Sequence, residues 1–259
     1  HDVTDLLLEE GPQAVGVVLG NGFYNPLPLR FWGHLNLRDG FAVGQPCMIL
    51  RMVVEYEDGS STVVVSDPAT WKVFDDGPLR HNDIYLGTIY DHRAVVDAWA
   101  SPWLDDSTWS HAAAALPPSG RLVAQTLPPI IMEPSLAATR HWSPSPGLWV
   151  FDMGRNAASI PTLRAIGSRG AVVTATYGEL VDREGFLNPL TSVAGQIKAP
   201  GVGGPCAPNV AVQTDTMILN GTGDWEVYTP SFTWHGFRYV QLNLSQADTH
   251  RMGLTSSDG

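Results

Sequence analysis

The chain has 259 residues, of which 44% are hydrophobic and 16% are charged, which supports a folded core and argues against wholesale disorder. Its formal net charge of −11 disfavours nucleic acid and anionic membranes as partners, because like charges repel at long range. Glycine and proline number 26 and 20, a density that limits helix length and favours short strands joined by turns.

The first half of the chain begins with a short helix and continues as β-rich runs. The helix is predicted over residues 4–10, where Thr4 stands at the capping position and a Gly-Pro pair follows. Strands are predicted over 13–20, 47–57, 60–66, 83–91 and 94–99. The second and third of these strands lie on either side of Asp58-Gly59, which is the strongest short-range signal of a β-hairpin.

The second half is richer in strands. The stretch 111–120, in which four alanines precede a double proline, is interpreted as a domain boundary. Strands then recur at 121–125, 128–133, 148–153, 159–165, 171–179, 215–221, 225–230 and 237–244. A Gly/Pro-rich insertion covers 188–213, and the tail from 245 has no packing pattern, so we expect it to be frayed or to begin a connection.

These patterns predict an all-β fold of two consecutive antiparallel β-sandwich or jelly-roll domains. The first domain is predicted over residues 1–118 and the second over 119–245, with 246–259 as a tail or connection. No apolar run approaches the roughly 18 residues of a membrane span, and no signal peptide is recognisable, so no membrane partner is expected. A secreted or periplasmic location is favoured over a cytoplasmic one.

The two cysteines, Cys47 and Cys206, lie far apart in the sequence. Two unrelated buried thiols are a better explanation than a disulfide. The spacing also excludes a cysteine-rich metal site.

Nine motifs follow one another in an order that is more specific than any one of them. They are DVTDLL (2–7), AVGVVLGNGFYN (14–25), VVEYEDGS (53–60), SDPATWK (66–72), GPLRHNDIYLGTIYDHR (77–93), DDSTW (105–109), LWVFDMGRN (148–156), AVVTATYGELVDREGFL (171–187) and YTPSFTWHGFRYV (228–240). In this order they resemble the non-catalytic β-domains of bacterial-type α-L-rhamnosidases, glycoside hydrolase family 78. The resemblance covers roughly residues 2–242.

The resemblance implies that the chain is an internal part of a larger hydrolase. In the family, the first β-domain begins upstream of the DVTDLL motif, so the first domain here is expected to be incomplete. The catalytic (α/α)6 barrel, with its general acid and base, lies downstream of GFRYV. The full-length protein would hydrolyse terminal α-L-rhamnosyl groups of glycosides or polysaccharides with inversion.

No catalytic residue is assigned in this chain. It has no long amphipathic helical pattern, no G-x-S-x-G, no H-E-x-x-H and no dinucleotide or phosphate-loop motif. Acidic pairs such as Asp75/Asp76 and Asp105/Asp106 lie in turn-like contexts. Expected partners are rhamnose-containing glycosides and the catalytic domain of the same polypeptide. The alternative is a free-standing, lectin-like carbohydrate-binding protein without catalysis.

The loop Asn21–Pro26 is the first candidate binding site. Amide and carbonyl oxygens are suited to Ca²⁺, and Tyr24 or Trp32 offers an apolar face to a deoxysugar. The resemblance implies that the Asn21 side chain and the Pro26 carbonyl would hold the ion, with further ligands from upstream. The predicted sugar-binding residues are Asn21, Tyr24, Asn25 and Trp32, and no organic cofactor is expected. The structural alternative is an Asn-Gly turn that needs no ligand.

A second polar cluster combines Asn82–Tyr85 with Asp91–Arg93. An acid, a histidine and an arginine on one strand suit a sugar hydroxyl or a metal, but Thr88 stands where the family usually has an acidic residue. The structural interpretation is favoured, in which Asp83 caps backbone N–H groups and Asp91 pairs with Arg93 or Arg80.

Two further motifs are also interpreted as structural. In Phe151–Asn156, Asp152 and Asn156 are expected to fix a tight turn, and Arg155 stands where the family normally has Gln. In Thr233–Tyr239, a carbohydrate groove is the alternative to core packing. The core interpretation places Phe237, Tyr239 and Leu242 on a strand, Gly236 at a bulge and Arg238 in a buried pair with Glu179.

Overall fold

A computed structural model of the chain describes residues 1–8, 10–26, 30–31, 35–132, 136–193, 211–244 and 251–255. In chain order the strands are β1 Arg30–Phe31, β2 Leu35–Asn36, β3 Arg51–Glu55, β4 Ser61–Val65, β5 Lys72–Val73, β6 Leu79–Asp83, β7 Gly87–Asp91, β8 Ser110–His111, β9 Arg140–Ser145, β10 Leu148–Ser159, β11 Thr162–Ile166, β12 Val172–Gly178, β13 Leu180–Val181, β14 Leu187–Asn188, β15 Thr214–Ile218, β16 Glu226–Tyr228, β17 His235–Leu244 and β18 Arg251–Thr255. The helical elements are α1 Leu37–Gly40 and 3₁₀ turns at Thr4–Leu6, His92–Ala94 and Pro189–Thr191. Strands dominate, and the predicted all-β class is confirmed.

The main sheet has seven strands in the order β6-β7-β15-β12-β17-β10-β9. Every neighbouring pair is antiparallel except β7 and β15, which run parallel. A three-stranded sheet, β16-β11-β18, lies against it. Leu163 of β11 and Tyr228 of β16 share one buried cluster with Val173 and Phe237 of the main sheet, so the two sheets form a β-sandwich.

Strand β12 shows why these residues form the centre of the sheet. Val173, Ala175 and Tyr177 are buried and alternate with partly buried threonines, the period of two that a strand requires. A second buried cluster contains Val150, Leu187 and Tyr239. Val150 and Tyr239 belong to strands whose neighbouring residues pack in the first cluster, so the main sheet carries apolar side chains on both faces here.

The predicted hairpin around Asp58-Gly59 is confirmed. Strands β3 and β4 pair antiparallel from Arg51 opposite Val65 to Glu55 opposite Ser61. Gly59 adopts a φ of +79°, which favours glycine. The carboxylate of Asp58 accepts hydrogen bonds from the backbone N–H and hydroxyl of Ser60 at 2.8 and 2.6 Å, which fixes the turn.

The prediction of one strand over 83–91 was wrong, because this stretch is a turn followed by the second strand of a hairpin. Strand β6 ends at Asp83 and β7 begins at Gly87, whose φ is +99°. Asp83 Oδ1 accepts from the backbone N–H groups of Tyr85 and Leu86 at 2.8 and 3.0 Å. Ile84 and Tyr85 have strand-favouring side chains, so the composition of the turn resembles that of a strand.

Four other predicted strands were wrong. Residues 13–20, 94–99, 121–125 and 128–132 form no strand. Val18, Val123 and Ile131 are exposed, which shows that β-branched composition alone does not form a strand without a neighbour to pair with. Residue 133 lies outside the described residues.

Three shorter predictions also need correction. The helix predicted over 4–10 contracts to the turn Thr4–Leu6, and the Thr4 hydroxyl donates to Asp2 at 2.6 Å instead of capping it. The tail from 245 is not frayed throughout, because β18 pairs with β11 and Leu254 packs against the core. Cys47 is free as expected but exposed and not buried, while Cys206 and the insertion residues 194–210 lie outside the described residues.

The chain divides into two compact units. The hairpin unit comprises His1–Leu19, Cys47–Gly77 and Val96–Pro128, and the sandwich unit comprises Gly20–Pro46, Pro78–Val95 and Pro129–Gly259. The sandwich unit therefore includes β6 and β7, from the region assigned by sequence to the first domain. The boundary between 118 and 119 stays a prediction. In the described part of the chain, no helix has the length and apolar character needed to cross a membrane.

Candidate functional site

The loop Asn21–Pro26 is fixed to the main sheet through Asn82 of β6. Its own turn is closed by the N–H of Asn25, which donates to the Asn21 carbonyl at 3.0 Å. The backbone N–H of Asn21 donates to Asn82 Oδ1 at 2.9 Å, and the Asn21 side-chain amide donates to the Asn82 carbonyl at 2.6 Å. Asn82 is buried, so these two bonds hold the start of the loop rigidly.

The other end of the loop is held by Arg38 of α1. The Asn25 amide donates to Asn21 Oδ1 at 2.9 Å. One guanidinium nitrogen of Arg38, Nη1, donates to Asn25 Oδ1 at 3.0 Å and to the Pro26 carbonyl at 2.8 Å. The loop is therefore crossed by a continuous series of hydrogen bonds from the sheet to the guanidinium.

Two aromatic rings of the loop are open to solvent. Phe23 and Tyr24 are 58% and 47% exposed. Phe23 meets Tyr85 edge to face with ring centroids 6.0 Å apart. The Tyr24 ring lies against Gly44, where an added Cβ would approach its hydroxyl oxygen to 2.5 Å, and the Tyr24 carbonyl accepts from the Gly44 N–H. The loop thus presents apolar ring surface next to amide groups.

A second polar network is buried beneath the sheet surface. Asp215 of β15 accepts from the N–H and hydroxyl of Thr88, both at 2.8 Å, and from the Tyr177 hydroxyl at 2.7 Å. Its fourth partner is His235 Nε2 at 2.9 Å. Burial is the first cause that raises the pKa of Tyr177, and the Asp215 charge adds to it, so Tyr177 stays a neutral donor.

His235 is hydrogen-bonded at both ring nitrogens. Nδ1 lies 2.8 Å from Gln213 Oε1, and the Gln213 amide nitrogen donates to the Ser192 carbonyl, which fixes the orientation of that amide. Both ring nitrogens therefore lie within hydrogen-bond distance of side-chain oxygens, one from Gln213 and one from Asp215. The Asp215, His235 and Tyr177 side chains of this network are fully buried, and the hydrogen bonds from Thr88 to Asp215 hold β7 against β15.

Comparison with known families identifies the chain. The model of the alpha-L-rhamnosidase N-terminal domain matches residues 1–134, and that of the bacterial alpha-L-rhamnosidase concanavalin-like domain matches residues 143–257. The chain belongs to the bacterial α-L-rhamnosidase family. It corresponds to the accessory β-region of these rhamnosidases, as the nine motifs indicated.

Individual rhamnosidases align over nearly the whole chain. An alpha-L-rhamnosidase of Streptomyces avermitilis is 30% identical over 246 residues, which are 93% of this chain and 21% of the relative. One of Formosa agariphila is 31% identical over 242 residues, 93% of this chain and 24% of the relative. The chain therefore spans less than a quarter of the length of these curated relatives.

Solved rhamnosidase structures share the fold. The alpha-L-rhamnosidase from Dictyoglumus thermophilum superposes with a TM-score of 0.68 at 32% identity, covering 86% of this chain and 23% of that one. The Streptomyces avermitilis enzyme, solved in complex with L-rhamnose, gives a TM-score of 0.65 at 29% identity, covering 80% and 18%.

The predicted sugar-binding and calcium-binding residues are only partly brought together by the described structure. Asn21, Asn25 and Pro26 are linked through hydrogen bonds, and Tyr24 lies in the same loop. Trp32 lies outside the described residues. The sequence analysis placed Phe23 in this loop without giving it a role and assigned Asn82 to the second cluster. It missed Arg38, which no local pattern connects with the loop.

In this arrangement each predicted calcium ligand already accepts a hydrogen bond from the protein. The Asn21 side-chain oxygen already accepts from Asn25, and the Pro26 carbonyl accepts from the positively charged Arg38. Calcium needs six to eight oxygen ligands within about 2.6 Å, several of them anionic in tight sites. Among the described residues, no group of three His, Cys, Asp or Glu side chains is placed to hold a metal.

The second polar cluster has the structural role that was favoured. Asp83 caps its turn, as described above, and Asp91 binds Arg93 through two hydrogen bonds of 2.8 Å, with Arg80 3.9 Å away. The hydrogen bond from Arg93 is the main cause that holds the pKa of Asp91 below its ordinary value. The carboxylates of Asp83 and Asp91 are thus engaged by neighbouring donors, whereas Asn82 Nδ2 and His92 Nε2 are buried without a hydrogen-bond partner among the described residues.

The motifs Phe151–Asn156 and Thr233–Tyr239 have structural roles, but two details of their prediction were wrong. Arg238 pairs with Asp152 at 2.9 and 3.1 Å and not with Glu179, which accepts instead from Asn156 at 3.0 Å. The bulge lies in β10 between Asp152 and Ala157, while Gly236 pairs regularly with Ala158. Asp152 does fix a turn, since it accepts from the Gly154 N–H at 2.8 Å. The core interpretation holds for Phe237, Tyr239 and Leu242, which are buried.

Proposed function

We propose that the full-length protein hydrolyses terminal α-L-rhamnosyl groups of glycosides or polysaccharides, and that this chain supports that reaction without carrying its acid and base. Both family models support the proposal, as do relatives named as alpha-L-rhamnosidases, of whose length this chain aligns with 21% and 24%. The acid and base would come from a catalytic domain of the same polypeptide.

The coding sequence on either side of this chain tests that proposal. A mostly helical continuation of barrel size after Gly259 would support the rhamnosidase. A stop codon there would support the free-standing, lectin-like alternative. An export signal upstream would support the proposed secreted or periplasmic location over a cytoplasmic one.

We further propose that the loop Asn21–Pro26 contacts rhamnosyl groups. The observation that supports this is the exposure of the Phe23 and Tyr24 rings beside hydrogen-bonded asparagine amides. Aromatic rings offer apolar surface to the C–H groups and methyl of a deoxysugar. Because Gly44 and Tyr85 support the two rings, their positions are set before a sugar arrives.

Calorimetric titration with L-rhamnose, with D-glucose as the control sugar, tests this contact. Tyr24→Ala and Phe23→Ala each remove a ring, so each is expected to weaken rhamnose binding about tenfold, equivalent to about 1.4 kcal/mol. Trp103→Ala is the matched control, because Trp103 is a 77% exposed ring in the hairpin unit.

Equal affinity for L-rhamnose in Tyr24→Ala, Phe23→Ala and the unaltered chain would contradict the sugar contact. So would equal affinity for L-rhamnose and D-glucose, because the methyl group that the rings are proposed to contact is absent from glucose.

A further inference from the structure

The described geometry places a positive charge at the Pro26 carbonyl, one of the two calcium ligands that the family resemblance implied. Arg38 Nη1 lies 2.8 Å from the Pro26 carbonyl oxygen and 3.0 Å from Asn25 Oδ1. The Asn25 amide in turn donates to Asn21 Oδ1 at 2.9 Å. Asn21 Oδ1, Asn25 Oδ1 and the Pro26 carbonyl oxygen each therefore accept a hydrogen bond from an N–H donor of the protein itself.

We propose that the Arg38 guanidinium takes the place of a metal ion in this loop, so that the loop keeps its shape without calcium. A guanidinium carries a permanent charge and several donors in a rigid plane, so one group satisfies two oxygens at once. A calcium ion bound to the same oxygens would have to displace Arg38 or lie beside a like charge.

The hydrogen bonds continue from Arg38 into the main sheet. Asn21, whose side-chain oxygen accepts from Asn25, also donates twice to the buried Asn82 of β6. The loop is thereby tied at one end to α1 and at the other to the sheet. Arg38 takes over the cross-linking role of an ion, because it joins α1 to Pro26 and Asn25, which precede it by 12 and 13 residues in the chain.

Thermal unfolding of the whole chain in about 5 mM CaCl₂ and in EDTA tests the proposal, since weak extracellular calcium sites bind near the millimolar range. The melting temperature of the unaltered chain is expected to be the same in both buffers. Arg38→Gln removes the charge and is expected to lower the melting temperature by about 3 °C in both. Arg121→Gln, at an exposed arginine outside the strands, is the matched control and should change nothing.

Calorimetric titration of the unaltered chain with CaCl₂ keeps the test decisive even if Arg38→Gln fails to fold. No saturable heat is expected up to millimolar calcium. Saturable calcium binding or a calcium-dependent rise in melting temperature that the Asn21→Ala variant lacks would overturn the proposal. An unchanged melting temperature in Arg38→Gln would also overturn it. Because no sugar is present, these results are independent of the proposed rhamnose contact.

Discussion

Asp152 shows how one buried carboxylate organises several strands. It is 2% exposed and accepts from Arg238 of β17, from Arg140 of β9 and from the Gly154 N–H. The Arg238 hydrogen bond is the largest cause that lowers the pKa of Asp152 from 3.8 to about 2, with Gly154 and Arg140 adding to it against the effect of burial. The charged form is therefore favoured by the folded state.

Asp152→Asn is expected to destabilise the fold in a pH-dependent way. Since the folded pKa lies below the unfolded one, the charged carboxylate stabilises the fold above about pH 4, and this contribution is lost as the pH falls towards 2. Solvent screens the charges of the partly exposed arginines. We therefore expect Asp152→Asn to lower the free energy of unfolding by about 1 to 2 kcal/mol at neutral pH. Urea unfolding at neutral pH and near pH 2 measures both values.

The exposed Asp224→Asn is the control for that measurement, and it should unfold like the unaltered chain at both pH values. An Asp152→Asn loss of the same size near pH 2 as at neutral pH would show that packing, and not the carboxylate charge, is responsible.

At the scale of elements, the β6–β7 hairpin joins the sandwich through one parallel strand pair. β7 lies beside β15, and Thr88 donates twice to Asp215, 127 residues further along the chain. The Tyr228 hydroxyl donates to Thr88 Oγ1 at 2.8 Å, which adds β16 to the same network. β7 begins at Gly87, which has no side chain. This lets the backbone of β7 lie close to the Thr214 carbonyl, where β15 begins.

Gly87→Ala is expected to break that approach. Gly87 has a φ of +99°, and an added Cβ would lie 2.1 Å from the Thr214 carbonyl oxygen and 2.9 Å from Asp215 Oδ1. The backbone atoms there cannot move apart without disrupting the strand pair. We therefore expect Gly87→Ala to lower the free energy of unfolding, measured in urea, by about 3 kcal/mol. Gly77→Ala, which meets open space, should cost far less, and equal small losses in both variants would contradict the steric explanation.

Three of the strands that sequence predicted well have partners on both sides. β10, β12 and β17 lie within the main sheet, and their apolar patterns reflect burial that extends along the strand. The run at 121–125 has similar side chains but no neighbour, so the same local signal was misleading there. Local preference becomes a strand only when the topology supplies a pairing edge.

The candidate site was predictable only where its residues are contiguous. Asn21, Asn25 and Pro26 lie in one motif, and hydrogen bonds connect them as a unit. Arg38 and Asn82 come from elements 12 to 61 residues away, so no spacing rule joins them to the loop. The pairing of His235 with Asp215 is likewise a product of strand order and not of local pattern.

At the scale of the whole molecule, the buried apolar side chains are unevenly distributed. The buried hydrophobic residues of the described chain run from Val150 to Leu242 and all belong to the sandwich unit. The described residues of the hairpin unit include no buried side chain, and its strands pair only two at a time. A two-stranded hairpin without a buried face is marginal in water, so the two units should differ in local stability.

Hydrogen exchange measured by mass spectrometry on the intact chain tests this difference. Amides of β3 and β4 are expected to exchange by local opening, many times faster than those of β12 and β17, which require unfolding of the sandwich core. Unfolded chain in denaturant supplies the intrinsic rates for the same peptides. If the amides of Arg51–Val65 exchange by local opening, destabilising the sandwich should not affect them. Their exchange rates should therefore be unchanged in the Gly87→Ala variant, whereas the exchange of β12 amides should become faster. Protection of β3 and β4 equal to that of β12 would mean that the hairpin unit unfolds only together with the sandwich core.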